Sequence, residues 1–345
     1  MYEEKVLKSF FCCVCLVLIF AKMGYCYSMN GDDSKQDSFN KTKVALEDEA
    51  LLNRACEMGD LDEVKKMINK GLDINTRDKD GNAPIHYACK FGHLDVVKYL
   101  LDKGSDIESK GQGDYTPLYV ASYNNKVEVA KYLLENGANV NACDMYHNSI
   151  LSNTTSNAEI VELLLEYGAD IESYDSIGFK PLHNACLLGS VDSVKLLLEH
   201  GANVEDKTLN NQESIHLIQN KEKAYLLLKY GADINVKSTW GETVLLSACA
   251  YSKSCDYVKF LLDNGADINS VDCCGYTPLI SAIISYSPDE GIIKLLLDHG
   301  ADANIKDIYG KYALDYALEL GDEDIIKLVM EKSSKAVVDN VLPDE

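Results

Sequence analysis

A short motif that begins with glycine recurs along this chain, and its spacing constrains the fold more than any other feature. The motif, Gly-Ala-Asp in its commonest form, occurs eight times. Successive copies lie 33, 33, 31, 33, 30, 34 and 35 residues apart, and two apolar residues precede nearly every copy. A period near 33 residues predicts a solenoid in which each unit packs only on its neighbours. The copies begin at Gly71, Gly104, Gly137, Gly168, Gly201, Gly231, Gly265 and Gly300.

One representative unit, residues 81–113, has the pattern of two short helices followed by a projecting loop. Pro84 opens the first helix at a position where its missing N–H costs nothing. Apolar residues between Val96 and Leu101 recur at helical spacing and mark the buried face of the second helix. Gly104 follows that helix, where a left-handed residue most easily ends it. The predicted element is therefore helix, turn, helix and a hairpin-like loop.

The residues that open and close these units resemble the ankyrin repeat. The closing Gly-Ala-Asp-Val-Asn of that family is similar to residues 137–141 and 265–269. The resemblance covers roughly residues 45–332. It implies an all-α ankyrin-repeat solenoid of about nine helix-turn-helix units with projecting β-hairpin-like loops. Openings similar to the family's Thr-Pro-Leu-His contain Pro84, Pro117, Pro181 and Pro278.

The sequence divides into four expected segments, of which the resemblance defines the repeat domain. A signal peptide or signal anchor is expected at 1–28, a disordered polar linker at 29–44, the repeat domain at 45–332 and a C-terminal tail at 333–345. Units four and six are shortened in their first helix, so we expect irregular stacking and weak interfaces there; whether they bend the array stays open. The last unit lacks the glycine motif and is predicted to cap the array. The nine units are 45–80, 81–113, 114–146, 147–177, 178–210, 211–240, 241–274, 275–309 and 310–332.

Charge and cysteine placement exclude several functions. The 345 residues carry a net charge of −22, which argues against nucleic acid or an anionic membrane surface as the partner. The chain lacks the two cysteine pairs of a typical zinc site, so we expect no metal and no cofactor. Four cysteines follow an alanine in the same position of four units, where we expect small buried residues and no disulfides. They are Cys56, Cys89, Cys186 and Cys249.

The amino terminus contains an apolar run, residues 10–21, that is closed by Lys22. Twelve residues suit the hydrophobic region of a secretory signal peptide better than a membrane span. We expect cleavage after Ser28 and a secreted or secretory-pathway protein. An uncleaved signal anchor and a cytoplasmic chain, acylated near its N-terminus, are the alternatives. Unpaired thiols favour a reducing compartment, and export from a microbe into the cytosol of a host cell would reconcile the two observations.

Side chains near the loop tips are the predicted partner-binding residues. The ankyrin resemblance implies recognition through loop tips and a concave groove, and apolar and aromatic side chains there are of the type that anchors interfaces. The alternative is that some rings fold back onto an adjacent loop and stiffen the stack. Inner-helix residues form a second line of candidates, at Tyr123, Leu187, Leu188 and Tyr251. The tip candidates are Tyr115, Tyr146, Ile177, Phe179, Trp240, Tyr276 and Tyr309.

Histidines and acidic residues give no catalytic arrangement in this sequence. No nucleophile, base and acid fall together in a way that suggests covalent catalysis, so we expect no enzymatic activity. The resemblance implies instead that the fourth residue of the opening motif makes a hydrogen bond that ties the turn between repeats. That position is occupied by His86, His183 and His216.

The leading hypothesis is a monomeric, non-enzymatic protein-protein interaction module, derived from a pathogen and directed at a host protein. Ankyrin proteins of large DNA viruses such as poxviruses and of intracellular bacteria look like this. A second hypothesis is an adaptor of a ubiquitin-ligase type complex, because residues 342–345 resemble the opening of an F-box-like module. A third is a membrane-tethered scaffold held by residues 10–21.

Overall fold

The computed structural model describes residues 50–251 and 254–342. The segments predicted as signal peptide and linker lie outside these residues, as do residues 343–345. Within the described residues we number eighteen α-helices in chain order. They are α1 (50–58), α2 (Leu61–Asn69), α3 (Pro84–Phe91), α4 (Leu94–Asp102), α5 (Pro117–Tyr123), α6 (Val127–Glu135), α7 (Ile150–Asn153), α8 (Ala158–Glu166), α9 (Pro181–Leu187), α10 (Val191–Glu199), α11 (Lys221–Lys229), α12 (Val244–Tyr251), α13 (Cys255–Asp263), α14 (Pro278–Ile283), α15 (Glu290–Asp298), α16 (Ala313–Leu320), α17 (Glu323–Lys332) and α18 (Lys335–Val341).

The helices pair into units, and the units stack. In each unit an inner helix turns into an outer helix, as α3 turns into α4; α3 packs on α5 of the next unit and α4 on α6. One apolar core runs through the stack from Leu52 to Val329. The loops carry an isolated β-bridge, between Cys143 and Ser149, and no strand is assigned in the described residues. The predicted all-α repeat solenoid is confirmed.

Local sequence explains where the inner helices begin. Thr116 lies just before Pro117, and its hydroxyl accepts a hydrogen bond from the Tyr119 N–H at 3.3 Å. Thr277 caps α14 in the same way, with 3.2 Å to the Ile280 N–H. A capping hydroxyl satisfies one of the helix's unpaired N–H groups, while proline in the first turn has no N–H to satisfy. The Thr-Pro form of the opening motif therefore starts the inner helices of units three and eight, and Pro84 and Pro181 start those of units two and five without a capping side chain.

An asparagine in the closing motif connects neighbouring units. The side-chain oxygen of Asn269 accepts from the Asp302 N–H at 2.9 Å, and that of Asn235 accepts from the Asp267 N–H at 2.7 Å. We call these bonds the asparagine ladder. Rungs of the same kind are made by Asn75, Asn141 and Asn304.

Units four and six are shortened, as predicted. The inner helix of unit four, α7, has four residues, and unit six has a four-residue 3₁₀ turn, Ser214–Leu217, in place of an inner helix. Helix α9 of unit five lies between them. On one side the Ser190 N–H, just after α9, donates to the Thr155 carbonyl of unit four at 3.0 Å. A side chain at Gly189 would place its Cβ 2.7 Å from the same carbonyl oxygen, so the contact requires glycine.

On the other side of α9, a buried lysine fills the space left by the missing helical turn. Lys223 of α11 is 7% exposed. Its ammonium donates to the carbonyls of Ala185 (2.9 Å), Cys186 (3.0 Å) and Gly189 (2.8 Å). These three bonds use all the donors of the group, and the end of a helix where carbonyls are unpaired favours a positive charge. Burial lowers the pKa of Lys223, and the three carbonyls hold its charged form.

A second lysine connects units four and five. The Lys180 ammonium lies 2.5 Å from Glu172 Oε2 in unit four and 2.7 Å from Asp206 Oδ2 in unit five. Glu172 occupies the position that asparagine holds in the ladder. Lysine ties thus join unit five to both shortened neighbours.

The cysteines of the inner helices and the C-terminal segment both contribute buried side chains. The four cysteines expected between helices are buried and unpaired, as predicted. Part of the segment predicted as a tail forms α18, where Val337 is buried. The Ser334 N–H donates to Asn304 at 2.7 Å, so this helix takes the last rung of the asparagine ladder.

Candidate protein-binding site

Each projecting loop is a short hairpin whose base is fixed by a polar side chain. In unit three the Asp144 N–H donates to the Asn148 carbonyl at 3.0 Å. Asp144 Oδ1 accepts from the N–H groups of Tyr146 and Asn148, at 2.9 Å each. A carboxylate that accepts two backbone bonds holds the loop in one shape. The same pair of bonds is made at four further tips by Asp78, Asp175, Asp272 and Asp307.

The residue that turns each of these hairpins is left-handed. Three of the turn residues are not glycine but types that tolerate this conformation: Asp114, His147 and Asn211, with φ of 63°, 63° and 55°. At Gly275 no side chain fits, because an added Cβ would lie 2.9 Å from Asp307 Cα and from Ile308 N. The next tip therefore packs directly on the turn at Gly275.

Main-chain hydrogen bonds also join neighbouring tips. The Cys273 N–H donates to the Trp240 carbonyl at 2.8 Å, and the Ile308 N–H donates to the Cys274 carbonyl at 3.1 Å. These bonds align the tips. We call the two residues before each turn residue the crest of that loop, and the crests of successive loops lie next to one another along the stack. Equivalent bonds join Met145 to Gly113 and Thr239 to Asn210.

Crests change from polar to apolar along the chain. The first two crests, residues 79–80 and 112–113, carry no apolar side chain. From unit three to unit eight most crest residues are apolar, and the exposed fraction is 52% for Trp240 and 77% for Leu209. Rows of exposed apolar side chains are uncommon on monomeric soluble proteins and are typical of interaction surfaces. We call it the tip stripe, which consists of Met145, Tyr146, Ile177, Leu209, Trp240, Ile308 and Tyr309.

The seven candidates predicted from the sequence separate into two sets. Tyr146, Trp240 and Tyr309 are exposed on crests, and Ile177 is half-buried on its crest. The other three follow the turn residue, are half-buried and contact rings of inner helices: Tyr115 and Phe179 are stacked, and Tyr276 meets its partner edge to face. Tyr115 lies 4.4 Å from Tyr119, Phe179 lies 5.7 Å from His183, and Tyr276 lies 5.8 Å from Tyr316, measured between ring centroids.

The structure adds crest residues that the sequence reasoning missed. Met145 and Ile308 stand one position before residues that were chosen, whereas no residue of the Leu209 crest was chosen; the three side chains are 57%, 65% and 77% exposed, respectively for Met145, Ile308 and Leu209. Their signal was present in the repeat register, because all three occupy the position of Lys79 in the first loop. Aligning both crest positions across the units would have found them.

The second-line candidates lie on another surface, at the ends of the inner helices. Tyr123, Leu188 and Tyr251 are 58%, 49% and 49% exposed, whereas Leu187 is half-buried. Leu188 and Tyr251 share a repeat position with three other exposed apolar residues, Met58, Phe91 and Leu320. This second row is a separate surface because it lies on helices and not on the loops.

Buried histidines lock the bases of three loops, as the resemblance implied. His183 Nδ1 accepts from the Lys180 N–H at 3.0 Å, and its Nε2 donates to the Asp206 carbonyl at 2.9 Å. His86 and His216 bond in the same way across their loops. An Nδ1 that accepts must carry no proton, so these rings are neutral. Burial lowers the pKa of all three.

Residues 50–251 and 254–342 contain neither a cluster of metal-ligating side chains nor a helix able to cross a membrane. This part of the chain has no group of three or more His, Cys, Asp or Glu side chains placed to hold a metal ion. None of its helices combines the length and apolar character that a membrane crossing requires.

A repeat array that presents side chains on fixed loops is a solenoid scaffold. Proteins of this class recognise partners with an extended surface and not with an enclosed pocket. The chain belongs to the ankyrin repeat family. The family model described as ankyrin repeats (3 copies) matches residues 40–144, 145–208, 214–307 and 252–340. Ankyrin repeats mediate protein–protein interaction, which agrees with the exposed crests.

Individual relatives match parts of the chain. The ankyrin repeat protein FPV243 of fowlpox virus is 46% identical over 61 residues, 18% of this chain and 22% of its own length. FPV230 of the same virus is 31% identical over 132 residues, 37% of this chain and 70% of its own length. NF-kappa-B inhibitor alpha of Gallus gallus is 33% identical over 137 residues, 37% of this chain and 43% of its own length. The chain thus spans less than half of two of these three relatives.

Proposed function

We propose that this chain is a non-enzymatic module that binds one protein partner through the tip stripe. The observation that carries the proposal is the row of apolar crests on successive loops from unit three to unit eight. Each of these loops is closed by its own hydrogen bonds, so little ordering cost is incurred on binding. Large aromatic side chains such as Trp240 and Tyr309 are the residues that most often supply binding energy at interfaces.

The partner we propose is a host protein. Relatives from fowlpox virus support a pathogen-derived protein, and two further relatives are named after proteins on which they act: NF-kappa-B inhibitor alpha and protein phosphatase 1 regulatory subunit 12A. The net charge of −22 favours a partner whose apolar contact surface has a basic rim, because opposite charge at the rim speeds association.

For location, we propose export through the amino-terminal segment, with the host cytosol as the place of action. The unpaired, buried cysteines support a reducing environment for the array. Expression of the full chain with a C-terminal tag, followed by mapping of the first peptide, tests the route. A first residue near Met29 with protein in the medium or secretory pathway supports export; an intact amino terminus with protein in the cytosol contradicts it.

The binding proposal is tested with three versions of the full chain in host cells. These are the wild type, the double variant Trp240→Ala/Tyr309→Ala, and the control Tyr286→Ala, which removes a fully exposed tyrosine between α14 and α15. We expect one host protein to bind saturably to the wild type and the control, and the double variant to lose at least tenfold in affinity, about 1.4 kcal/mol. Purified NF-κB and protein phosphatase 1 are the first ligands to titrate.

The same assay tests whether the partner binds to the inner-helix row instead of the tip stripe. Tyr123→Ala/Tyr251→Ala alters the inner-helix row and leaves every crest intact. If this variant loses the partner while Trp240→Ala/Tyr309→Ala keeps it, recognition lies on the inner helices and the proposal for the tip stripe is wrong.

A further inference from the structure

The crest of unit seven differs from all other crests in the described residues, because it consists of two adjacent cysteines. Cys273 is exposed and Cys274 is half-buried, and their sulfur atoms lie 3.9 Å apart. The pair interrupts the tip stripe between Trp240 and Ile308. It therefore places two thiols on the same accessible loop.

Other cysteines in this part of the chain are placed differently. Cys56, Cys89, Cys186 and Cys249 are buried inside the stack, and burial raises the pKa of the Cys56 and Cys186 thiols to about 12. A reagent cannot reach a sulfur that lies inside the stack, so these groups are inert. Cys143 and Cys255 are half-buried and stand alone. The pair at the unit-seven crest is therefore where small thiol reagents can meet two sulfurs at once.

We propose that Cys273 and Cys274 form a reversible modification site, at which a low-molecular-weight disulfide converts the two thiols into a disulfide between adjacent residues. The Cys273 thiolate attacks one sulfur of the reagent, whose S–S bond breaks and whose released half takes up a proton. The Cys274 thiolate then attacks the mixed disulfide and releases the second half as a thiol. Two protein thiols are oxidised and one reagent disulfide is reduced to two thiols.

The local backbone makes this modification reversible. Consecutive Cα atoms lie about 3.8 Å apart, closer than in ordinary disulfides, where the separation is about 4.4–6.8 Å. A ring closed over so short a span is strained, and strained, exposed disulfides are the ones that thiols reduce easily.

Formation of the ring also changes the tips on either side. The Cys273 N–H donates to the Trp240 carbonyl, and the Cys274 carbonyl accepts from the Ile308 N–H. Closing the ring rotates the backbone torsions between these two groups, so both bonds to neighbouring tips are disturbed. Trp240 is the chain's only tryptophan, and its fluorescence reports this change directly. The inference does not depend on partner binding.

The test uses the purified full chain, oxidised glutathione as the reagent and an alkylating agent to block thiols that remain. We expect the peptide that contains both cysteines to lose two hydrogen atoms and to escape alkylation, and the Trp240 emission to shift. Dithiothreitol should reverse both changes. Cys273→Ser and Cys274→Ser should each give a mixed disulfide with glutathione and no internal bond, whereas Cys255→Ser should behave as the wild type.

Several results would overturn the proposal. In the wild type these are alkylation of both cysteines after oxidation, glutathione held on either cysteine without ring closure, or a bond from one of them to a distant cysteine. An internal disulfide that forms while Trp240 emission stays constant would refute the coupling to neighbouring tips.

Discussion

From unit six to the end of the array, an asparagine in the loop of one unit accepts a hydrogen bond from the backbone that follows it in the stack. Where units four, five and six meet, lysine side chains make the connection instead. Asn235 and Asn269 reach 2.7 and 2.9 Å to their neighbours. Lys180 pairs with carboxylates of units four and five, and Lys223 of unit six donates to carbonyls of unit five.

This difference follows from spacing. Where the closing motif keeps its asparagine, the same pair of positions comes together each time, so one short amide repeats one bond. A unit that lacks part of its inner helix leaves a gap beside its neighbour, and a longer side chain is needed to span it. The lysine stem fills the gap with methylene groups, and its ammonium pairs with the carbonyls exposed at the end of α9.

The largest effect on stability is expected from replacing Lys223, which connects units five and six, with methionine. The variant keeps the stem volume but leaves three buried carbonyls without donors, so we expect the free energy of unfolding to fall by about 3 kcal/mol. Urea unfolding monitored by circular dichroism measures the loss. The control is Lys195→Met on α10, an exposed lysine whose replacement should change stability by about 0.5 kcal/mol or less. Equal stability of the two variants would mean that Lys223 does not hold units five and six together.

The next largest effect is expected on the other side of α9, from Gly189→Ala. The new methyl group would lie 2.7 Å from the Thr155 carbonyl oxygen and from Ala185 Cα, and overpacking of this kind costs about 2 kcal/mol. The same unfolding assay applies. Gly104→Ala is the backbone control, since its φ is 93° and open space surrounds its Cβ position. If Gly189→Ala lowers the free energy of unfolding less than Gly104→Ala does, the close contact between units four and five is contradicted.

Acidification should lower the stability of units four to six more than that of the amino-terminal units. Units five and six contain His183 and His216, two of the three histidines that lock the loops. Burial lowers the pKa of His183 and His216, so below about pH 6.5 the unfolded chain binds more protons than the folded one. Stability is complete above that pH and falls as the pH decreases. The slope reaches at most about 1.4 kcal/mol per pH unit for each histidine.

Urea midpoints measured from about pH 7.5 to about pH 5 test this pH dependence. His183→Gln/His216→Gln should flatten the profile more than His86→Gln does. A profile as steep in the double variant as in the wild type would assign the pH dependence to other groups.

The smallest effect is expected from one rung of the asparagine ladder. Asn269→Ala removes the bond to the Asp302 N–H in an exposed loop, where a hydrogen bond contributes about 1 kcal/mol. Glu205→Ala alters the same repeat position in unit five and serves as the matched control. Amide hydrogen exchange of Asp302 should speed up in the first variant only, and unchanged exchange would show that the rung is dispensable.

The sequence predicts the frame of this protein well because the frame repeats. The glycine-led motif, the proline openings and the buried cysteines recur at fixed offsets, and each copy supports the interpretation of the others. The roles of His183 and His216 follow from the same register. Departures from the repeat were visible as well, since units four and six could be seen to be short.

What compensates for the missing residues could not be predicted. Lys223 stands at a position where other outer helices carry Val96 or Ile292, which marks it as unusual. Its partners are backbone carbonyls of another unit, which have no sequence signature. Likewise, Tyr115 and Trp240 both lie beside a turn, and only the direction of the chain after the turn decides which ring packs on an inner helix and which is exposed.

The hairpin bases have a consequence for how such a protein changes over generations. The bonds that close a loop involve main-chain atoms and the aspartate at its base, as in the loop of Asp307, while the crest residues take part mainly through their backbone. Selection for folding therefore acts on the base, and selection for recognition acts on the crest. Crest side chains can be exchanged by single mutations without loss of the loop, so a lineage can follow a changing partner while its architecture stays constant.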